Sequence, residues 1–167
     1  MRYLICLAMA VTAFGQTNPL AADAKRLYLL TITNISKSAE KVPEENYSFK
    51  PTPEVRSFGQ LIGHVADAQY LFCSAVKGDK PTPMGIEKSK TSKADLIAAL
   101  KEAVGYCTAV YDEMNDKAAA ETVKFFGRDQ TKLGVLSFNS IHNYEHYGNL
   151  VTYMRLKGIV PPSSEGR

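Results

Sequence analysis

Residues 140–150 read SIHNYEHYGNL, and this stretch decides how the rest of the chain is interpreted. His142 and His146 lie four residues apart in it, and on a helix this spacing places both imidazoles on one face, about one turn apart. Two imidazoles held in this way can direct their Nε2 atoms at one metal ion. The third histidine, His64, lies far upstream in the apolar stretch LIGHVA, residues 61–66. The sequence therefore predicts a three-histidine metal site built between two helices.

Helical periodicity dominates the chain, and no stretch longer than a few residues alternates as a strand does. The caps of the helices are also readable: Ser57 and Ser92 are N-cap candidates, and Gly158 follows the last helix. One arm of a small hairpin is predicted at residues 122–126. Together these signals predict an all-α four-helix bundle. Its helices are expected at residues 21–41, 57–76, 92–114 and 131–157.

Length and charge limit the classes of function. A chain of 167 residues forms one domain, and its 20 Lys and Arg against 17 Asp and Glu give a net charge of +3. The basic residues are scattered, without the basic stripe interleaved with aromatic residues that binds nucleic acid. We therefore expect a small-molecule substrate and no nucleic-acid partner. A homodimer formed through a bundle face is compatible with the sequence, but no sequence feature requires it.

Residues 1–15 have the pattern of a cleavable signal peptide. Arg2 supplies a positive start, residues 4–14 are apolar, and Ala13 and Gly15 are small residues at the −3 and −1 positions of a cleavage site. The apolar run is shorter than the about 20 residues that span a bilayer. The alternative is an apolar beginning of the first helix. We expect an exported protein, periplasmic or extracellular, whose mature domain covers residues 16–167 and has no membrane anchor.

Export changes the interpretation of the cysteines. Removal of the leader takes away Cys6 and leaves Cys73 and Cys107, an even pair in an oxidising compartment. Each lies among apolar helical neighbours, so two buried free thiols are the favoured expectation and a disulfide is the alternative. There is no C-x-x-C spacing, and neither a redox motif nor a thiolate zinc site is indicated.

The histidines have an alternative role as core residues. Buried imidazoles must be hydrogen-bonded or bound to something, and His64 alone would most simply be a hydrogen-bonded core residue. Neutral imidazole suits Zn, Ni, Fe or Cu. There is no H-E-x-x-H, no G-x-S-x-G elbow and no glycine-rich phosphate loop. Asp67 and Glu145 lie near the histidines in sequence and are expected to be ordinary surface charges, and the alternatives are a residue that orients a ligand and a general base.

Two stretches resemble the DinB-like (DinB/YfiT) superfamily. Residues 47–67, YSFKPTPEVRSFGQLIGHVAD, are similar to the entry to that family's second helix, and residues 142–162, HNYEHYGNLVTYMRLKGIVPP, to its closing helix. The resemblance covers nearly the whole mature chain. It implies a four-helix bundle with an up-down-down-up course. It also implies a divalent metal ion held by three histidines, at the matching positions His64, His142 and His146, with water completing the coordination sphere.

The implied course has a consequence for the cysteines. The second and third helices would be parallel, and Cys73 and Cys107 would lie at similar heights in them. A disulfide becomes compatible with the fold if the two Cα atoms lie within about 7 Å of each other.

The resemblance also guides the prediction of function. Members of the family include enzymes that activate a low-molecular-weight thiol for transfer or isomerisation, and many members have no assigned activity. We expect metal-dependent hydrolysis of a small substrate, with Zn, Ni or Fe as the Lewis acid. The alternatives are a metal-dependent thiol S-transferase and a non-enzymatic metal-binding or stress-response bundle. The thiol-transferring relatives are cytoplasmic and this chain is expected to be exported, which favours hydrolysis.

Overall fold

The computed structural model describes residues 17–80 and 85–166, so the predicted signal peptide lies outside the described residues. Four long helices form the body of the domain, and two single-turn helices and a hairpin connect them. The long helices are α1 (Pro19–Lys41), α2 (Phe58–Lys77), α4 (Lys93–Glu113) and α6 (Lys132–Leu156). The connecting elements are α3 (Ile86–Ser89), α5 (Asp116–Ala119), β1 (Thr122–Phe125) and β2 (Arg128–Thr131), with 3₁₀ turns at Glu44–Asn46 and Pro162–Ser164.

The helix ends follow from local side-chain chemistry. Ser57 forms a capping box, because its Oγ accepts from the Gln60 backbone N–H at 3.2 Å while Gln60 Oε1 accepts from the Ser57 N–H at 2.8 Å. Ser92 and Thr131 each accept from a backbone N–H three residues on. Gly78 ends α2 with a φ of 81°, a conformation that glycine adopts without strain. The four predicted helices are confirmed, with ends within a few residues of the observed ones.

Helices α2 and α4 run in the same direction. Leu96 at the start of α4 packs against Gly59 at the start of α2. Further along both helices, Cys73 and Cys107 form a disulfide with a Cα–Cα distance of 5.3 Å. The favoured expectation of two free buried thiols was therefore wrong. It failed because each cysteine was considered among its own helical neighbours, whereas the parallel course brings the two faces together.

The remaining two long helices run opposite to this pair. Lys25, near the start of α1, forms an ion pair with Asp112 at the end of α4. Tyr153, near the end of α6, donates its hydroxyl to the backbone carbonyl of Arg56, directly before α2, at 2.9 Å. The four long helices therefore run up, down, down and up. No described helix is long and apolar enough to cross a membrane.

The core is mainly apolar, and a row of buried amides crosses it between α2 and α6. Asn139 donates to Gln69 Oε1 at 3.2 Å, and Gln69 donates to Asn143 Oδ1 at 2.9 Å. Asn139 also lies 3.4 Å from the Sγ atom of Cys107. Because a buried amide that loses its partner is costly, this row sets the register in which α6 packs on α2.

Candidate metal centre

The three histidines of the chain converge at one point between α2 and α6. His142 Nε2 lies 3.1 Å from His64 Nε2 and 3.0 Å from His146 Nε2. His146 is 5% exposed, and the other two rings are partly buried. The structure thus brings together the three residues that the sequence singled out, and each can offer one ligand atom within 4.8 Å of the others. The helical spacing of His142 and His146 and the antiparallel approach of α2 produce this arrangement.

The Glu87 carboxylate determines which nitrogen of His64 carries its proton. Glu87 Oε2 lies 3.1 Å from His64 Nδ1, and a carboxylate can only accept there. His64 is therefore protonated on Nδ1, and its Nε2 lone pair points towards the other two rings. This carboxylate–histidine pairing is the arrangement that commonly orients a metal-binding imidazole.

Hydrogen bonds among the three neutral rings cannot provide a partner for all three Nε2 atoms. His64 Nε2 can only accept, so His142 Nε2 would have to donate to it, and could then not accept from His146. A single cation at the common point would bind all three lone pairs. Two nitrogens about 3 Å apart, as these are, can both lie about 2.0–2.1 Å from one ion. The residues present therefore fit a divalent metal ion, and an all-imidazole donor set suits Zn, Ni, Fe or Cu.

The surroundings keep the imidazoles neutral and available as ligands. Burial, with the neighbouring His64 and Arg56, lowers the pKa of His142 to about 4. Burial, with the other two histidines and Arg56, lowers the pKa of His146 to about 3. Burial and Arg56 also lower the pKa of His64, although Glu87 opposes them. At neutral pH a metal ion would not have to displace protons from these rings.

Asp67 builds the turn that carries Glu87. Its carboxylate accepts from the backbone N–H groups of Gly85 at 2.9 Å, Ile86 at 3.0 Å and Glu87 at 3.1 Å. Asp67 is 8% exposed, so the expectation of a surface charge was wrong. It failed because the three amides come from a segment about 20 residues downstream, which sequence spacing does not place near α2. Glu145 is exposed, as a surface charge was expected to be.

A glycine allows this turn to reach the histidine. A Cβ atom added at Gly63 would lie 2.7 Å from Glu87 Cα and 3.0 Å from Glu87 N. Such separations are too short for any side chain, so only glycine permits α3 to pack directly on α2. Gly63 and Asp67 flank His64 in α2, and together they place Glu87 beside the imidazole.

Arg56 lies above the histidines and is held from two sides. Its Nε atom donates to Glu87 Oε1 at 2.9 Å, so both oxygens of this carboxylate are engaged. Its backbone carbonyl accepts from the hydroxyl of Tyr153. In the described part of the chain, the terminal guanidinium nitrogens have no hydrogen-bond partner. The Arg56 side chain is partly exposed and lines both cavities that reach the histidines.

Two cavities reach the histidines, and Arg56 and Glu87 line both of them. The first has a volume of about 520 Å³, reaches His64 and His142, and has an apolar wall made of Ala68, Leu71, Phe72, Phe126 and Phe138. The second has a volume of about 510 Å³, reaches His146, and is lined by the polar residues Glu54, Glu145, Asn149 and Tyr153. An apolar cavity with a few convergent polar groups is the usual form of a small-molecule site.

The sequence of this chain matches a known family over most of its length. A sequence model of the DinB superfamily matches residues 28–150. The chain belongs to the DinB superfamily. YjoA, an uncharacterized protein of Bacillus subtilis (strain 168), is 25% identical to this DinB-superfamily protein over 135 residues, covering 78% of this chain and 87% of YjoA.

Solved structures share the fold of this DinB-superfamily protein. A DinB-like protein of Bacillus cereus ATCC 10987 matches with a TM-score of 0.74 at 18% identity, over 84% of this chain and 95% of that one. YfiT of Bacillus subtilis, described as "a probable metal-dependent hydrolase with an unusual four-helix bundle topology", matches with a TM-score of 0.66 at 12% identity, over 90% and 94% of the two chains. A mycothiol-dependent maleylpyruvate isomerase matches with a TM-score of 0.63 at 17% identity, over 78% and 60%.

Two residues of the centre were missed by sequence reasoning. Glu87 lies 23 residues from His64, in a connector whose only visible signal was its glycine and prolines. The position of Arg56 beside the histidines was not predicted either. The signal for Arg56 was its place directly before the Ser57 capping box, because a residue at that position lies beside the first turns of α2.

Proposed function

We propose that this DinB-superfamily protein binds one divalent ion of Zn, Ni or Fe through His64, His142 and His146 and hydrolyses a small substrate with it. The observation that carries the proposal is the convergence of three Nε2 atoms, one of them oriented by Glu87. The fold shared with YfiT, described as a probable metal-dependent hydrolase, supports it. A purely structural core would more simply place apolar side chains here.

The residues of the chain define what each part of the site contributes. A divalent ion held by three neutral imidazoles keeps its full charge and acts as a Lewis acid towards a carbonyl or water. Glu87 holds His64 in the correct tautomer. Arg56 places a fixed positive charge in the lining of the site, where it can bind a negatively charged group of the substrate. The apolar cavity beside His64 excludes water from one side of the substrate, and the polar cavity beside His146 admits it.

Elemental analysis tests the metal proposal. The mature protein, purified without a nickel column, is expected to contain about one equivalent of metal per chain, or to take up one equivalent of added Zn²⁺. His142→Ala should abolish binding, whereas Tyr144→Ala, an exposed position on the same helix, should retain it. Full retention of the ion in His142→Ala would refute the ligand assignment. Metal binding without turnover of any ester, amide or phosphoester substrate would leave a non-enzymatic metal-binding bundle.

Thiol-dependent transfer or isomerisation is the second candidate. The mycothiol-dependent maleylpyruvate isomerase, which shares the fold, supports it. The cysteines of the described chain are joined in the Cys73–Cys107 disulfide, so the reacting thiol would have to come from a cosubstrate. Turnover that requires an added low-molecular-weight thiol would favour this function, and turnover with water alone would favour hydrolysis.

We further propose export to an oxidising compartment. The Cys73–Cys107 disulfide supports this location, because disulfides persist in secreted and periplasmic proteins and are rare in reducing cytosol. Mass spectrometry of the mature protein should find a chain that begins near Gln16. Homodimerisation stays a prediction, which sedimentation of the purified protein would check.

A further inference from the structure

We propose that the apolar cavity beside His64 and His142 takes an acyl compound with an apolar body and a free carboxylate, and that Arg56 binds this carboxylate. This inference rests on the proposed function, because it names the substrate class of the same site. Three observations support it: the character of the cavity wall, the backbone conformation of one wall residue, and the terminal guanidinium nitrogens of Arg56.

The apolar wall next to the histidines contains three phenylalanine rings, those of Phe72, Phe126 and Phe138. Phe72 lies with its ring centroid 5.6 Å from that of His142 and 5.4 Å from that of Phe138. Phe138 and Phe126 are 41% and 64% exposed, although large aromatic side chains are usually buried. Exposed aromatic rings that line a cavity provide a surface for an apolar ligand. An aliphatic or aryl group placed there would lie against the side of the metal centre.

Phe126 occupies a position that costs stability. It has a φ of +47° in the turn of the β1–β2 hairpin, and Gly127 follows with a φ of +76°. Two successive residues with positive φ form the hairpin turn that favours Asn, Asp or Gly, and a bulky side chain is rarely found there. A strained residue retained at the opening of a cavity points to a role in ligand binding. Phe126 therefore contributes its ring to the cavity wall although its backbone conformation destabilises the turn.

Arg56 is placed to bind a carboxylate of such a ligand. Glu87 binds its Nε atom, and among residues 17–80 and 85–166 nothing else binds the terminal nitrogens, which can form two parallel hydrogen bonds to one carboxylate. The two acidic residues of the apolar cavity do not compete, since Asp67 accepts from three backbone amides and Glu87 from His64 and Arg56. Lys88 adds a second positive charge to this cavity.

The charges also distinguish the two sides of the site. Arg56 and Glu87 line both cavities. The polar cavity adds the carboxylates of Glu54 and Glu145, which would repel an anion, whereas the apolar cavity adds Lys88 and the amide-bonded Asp67. A carboxylate-bearing substrate would therefore enter from the apolar side. In the reaction, water adds to a second carbonyl of the substrate, the bond from its carbon to the alcohol or amine breaks, and the leaving group takes a proton of the water. The carboxylate on Arg56 does not change.

Binding of three probes tests the inference without depending on turnover. The probes are 4-phenylbutanoate, 4-phenylbutan-1-ol, which lacks the charge, and butanoate, which lacks the aryl group. Calorimetric titration of metal-free and Zn²⁺-loaded protein should give binding of 4-phenylbutanoate that is about tenfold or more tighter than that of either analogue. Equal binding of the acid and the alcohol would overturn the inference.

Variants of Arg56 and Phe126 test separately which residue recognises the carboxylate and which recognises the phenyl group. Arg56→Gln should lose the preference for the acid over the alcohol. Arg56→Lys should retain part of this preference, because lysine keeps the positive charge but lacks the planar guanidinium that forms two parallel hydrogen bonds. Phe126→Ala should weaken the binding of both phenyl probes and leave the binding of butanoate unchanged. Arg26→Gln and Leu156→Ala are matched controls at exposed positions on α1 and α6, and neither should change the binding of any probe.

The results separate this inference from the proposed function. If Zn²⁺ fails to bind while metal-free protein binds 4-phenylbutanoate through Arg56, the metal function fails and the ligand class holds. If Zn²⁺ binds to the histidines and Arg56→Gln leaves the preference for the acid unchanged, the ligand class is overturned and the metal function holds.

Discussion

His64 Nδ1 lies 3.1 Å from Glu87 Oε2, and this contact joins a histidine of the candidate metal centre to a segment that the sequence presents as a connector. Glu87 in turn binds Arg56, so one carboxylate orients both the imidazole and the guanidinium. The segment is itself held on α2 by Asp67 and by the absence of a side chain at Gly63. The geometry of the candidate centre thus depends on packing between α2 and α3 as much as on the three histidines.

Glu87→Gln is expected to weaken metal binding with the fold intact. The amide is neutral and can present its NH₂ group to His64, so the tautomer that exposes Nε2 is no longer imposed. A loss of about tenfold to a hundredfold in metal affinity is expected, measured by competition with a chelating indicator. Glu102→Gln, an exposed position on α4, is the control and should bind as the wild type does. Unchanged affinity in Glu87→Gln would show that the contact does not orient the ligand.

Gly63→Ala is expected to destabilise the protein and to weaken metal binding together. The new Cβ would displace the backbone at Glu87, and overpacking of this kind costs about 1–3 kcal/mol in the free energy of unfolding. Gly105→Ala in α4 is the matched control, because no atom lies within 4 Å of its added Cβ. That control should stabilise the protein by about 0.5–1 kcal/mol, since alanine is the better helix former. Urea unfolding of both variants checks the opposite signs.

Much of the fold could be predicted because its signals are local. Helix periodicity, the Ser57 and Ser92 caps and the glycine after α6 are each contained within a few residues, and the helices are found where these signals place them. The direction of the helices is not local information. The resemblance to a known family supplied it, and contacts such as Lys25 with Asp112 bear it out. The disulfide followed from that direction and could not be derived from either cysteine alone.

In the candidate site, too, the residues with local sequence signals could be predicted and those placed by tertiary contacts could not. The pair His142 and His146 is visible in the sequence because helical spacing joins the two residues, and His64 was linked to them by its apolar context and by the resemblance. Glu87 and the buried role of Asp67 escaped prediction, because a tertiary contact between α2 and a polar connector determines both. No periodicity encodes such a contact.

Removal of the disulfide is expected to destabilise the protein substantially. Cys73 and Cys107 are 34 residues apart, and a cross-link that closes a loop of this length stabilises the folded state by about 3–4 kcal/mol, mainly by restricting the unfolded chain. The double variant Cys73→Ala/Cys107→Ala should therefore lose about that much free energy of unfolding. Dithiothreitol should lower the stability of the wild type towards that of the variant and leave the variant unchanged. A wild type insensitive to full reduction, verified by thiol titration, would contradict the prediction.

Phe126→Asn is expected to raise stability while it reduces ligand binding. Asparagine adopts the positive φ that this turn requires, whereas phenylalanine is strained there, and relief of about 1 kcal/mol is expected. The apolar wall of the cavity would lose its most exposed ring, so 4-phenylbutanoate should bind more weakly. Thermal unfolding and calorimetric titration of the same preparation measure the two effects. A variant that is less stable than the wild type would refute the account of strain.

The stability of the metal-free protein should fall as the pH decreases below about 6.5, the ordinary pKa of histidine. The pKa values of His142 and His146 are lowered by burial to about 4 and about 3, and that of His64 is also lowered. Between these values and 6.5 the unfolded chain binds more protons than the folded one, so acidification favours unfolding. The contribution is complete above pH 6.5 and is lost as the pH falls through the folded pKa values.

The histidine contribution can be isolated by the choice of pH range and variant. The carboxyl groups whose pKa is lowered, such as Glu121 and Glu165, titrate mostly below pH 5, so the decline between pH 6.5 and 5 belongs to the histidines. Urea midpoints measured in the presence of chelator should fall over this range in the wild type. They should fall less in His142→Gln/His146→Gln, which retains buried amides but removes two titrating rings. Equal slopes in the two proteins would contradict the prediction, because the loss of stability would then arise outside the candidate metal centre.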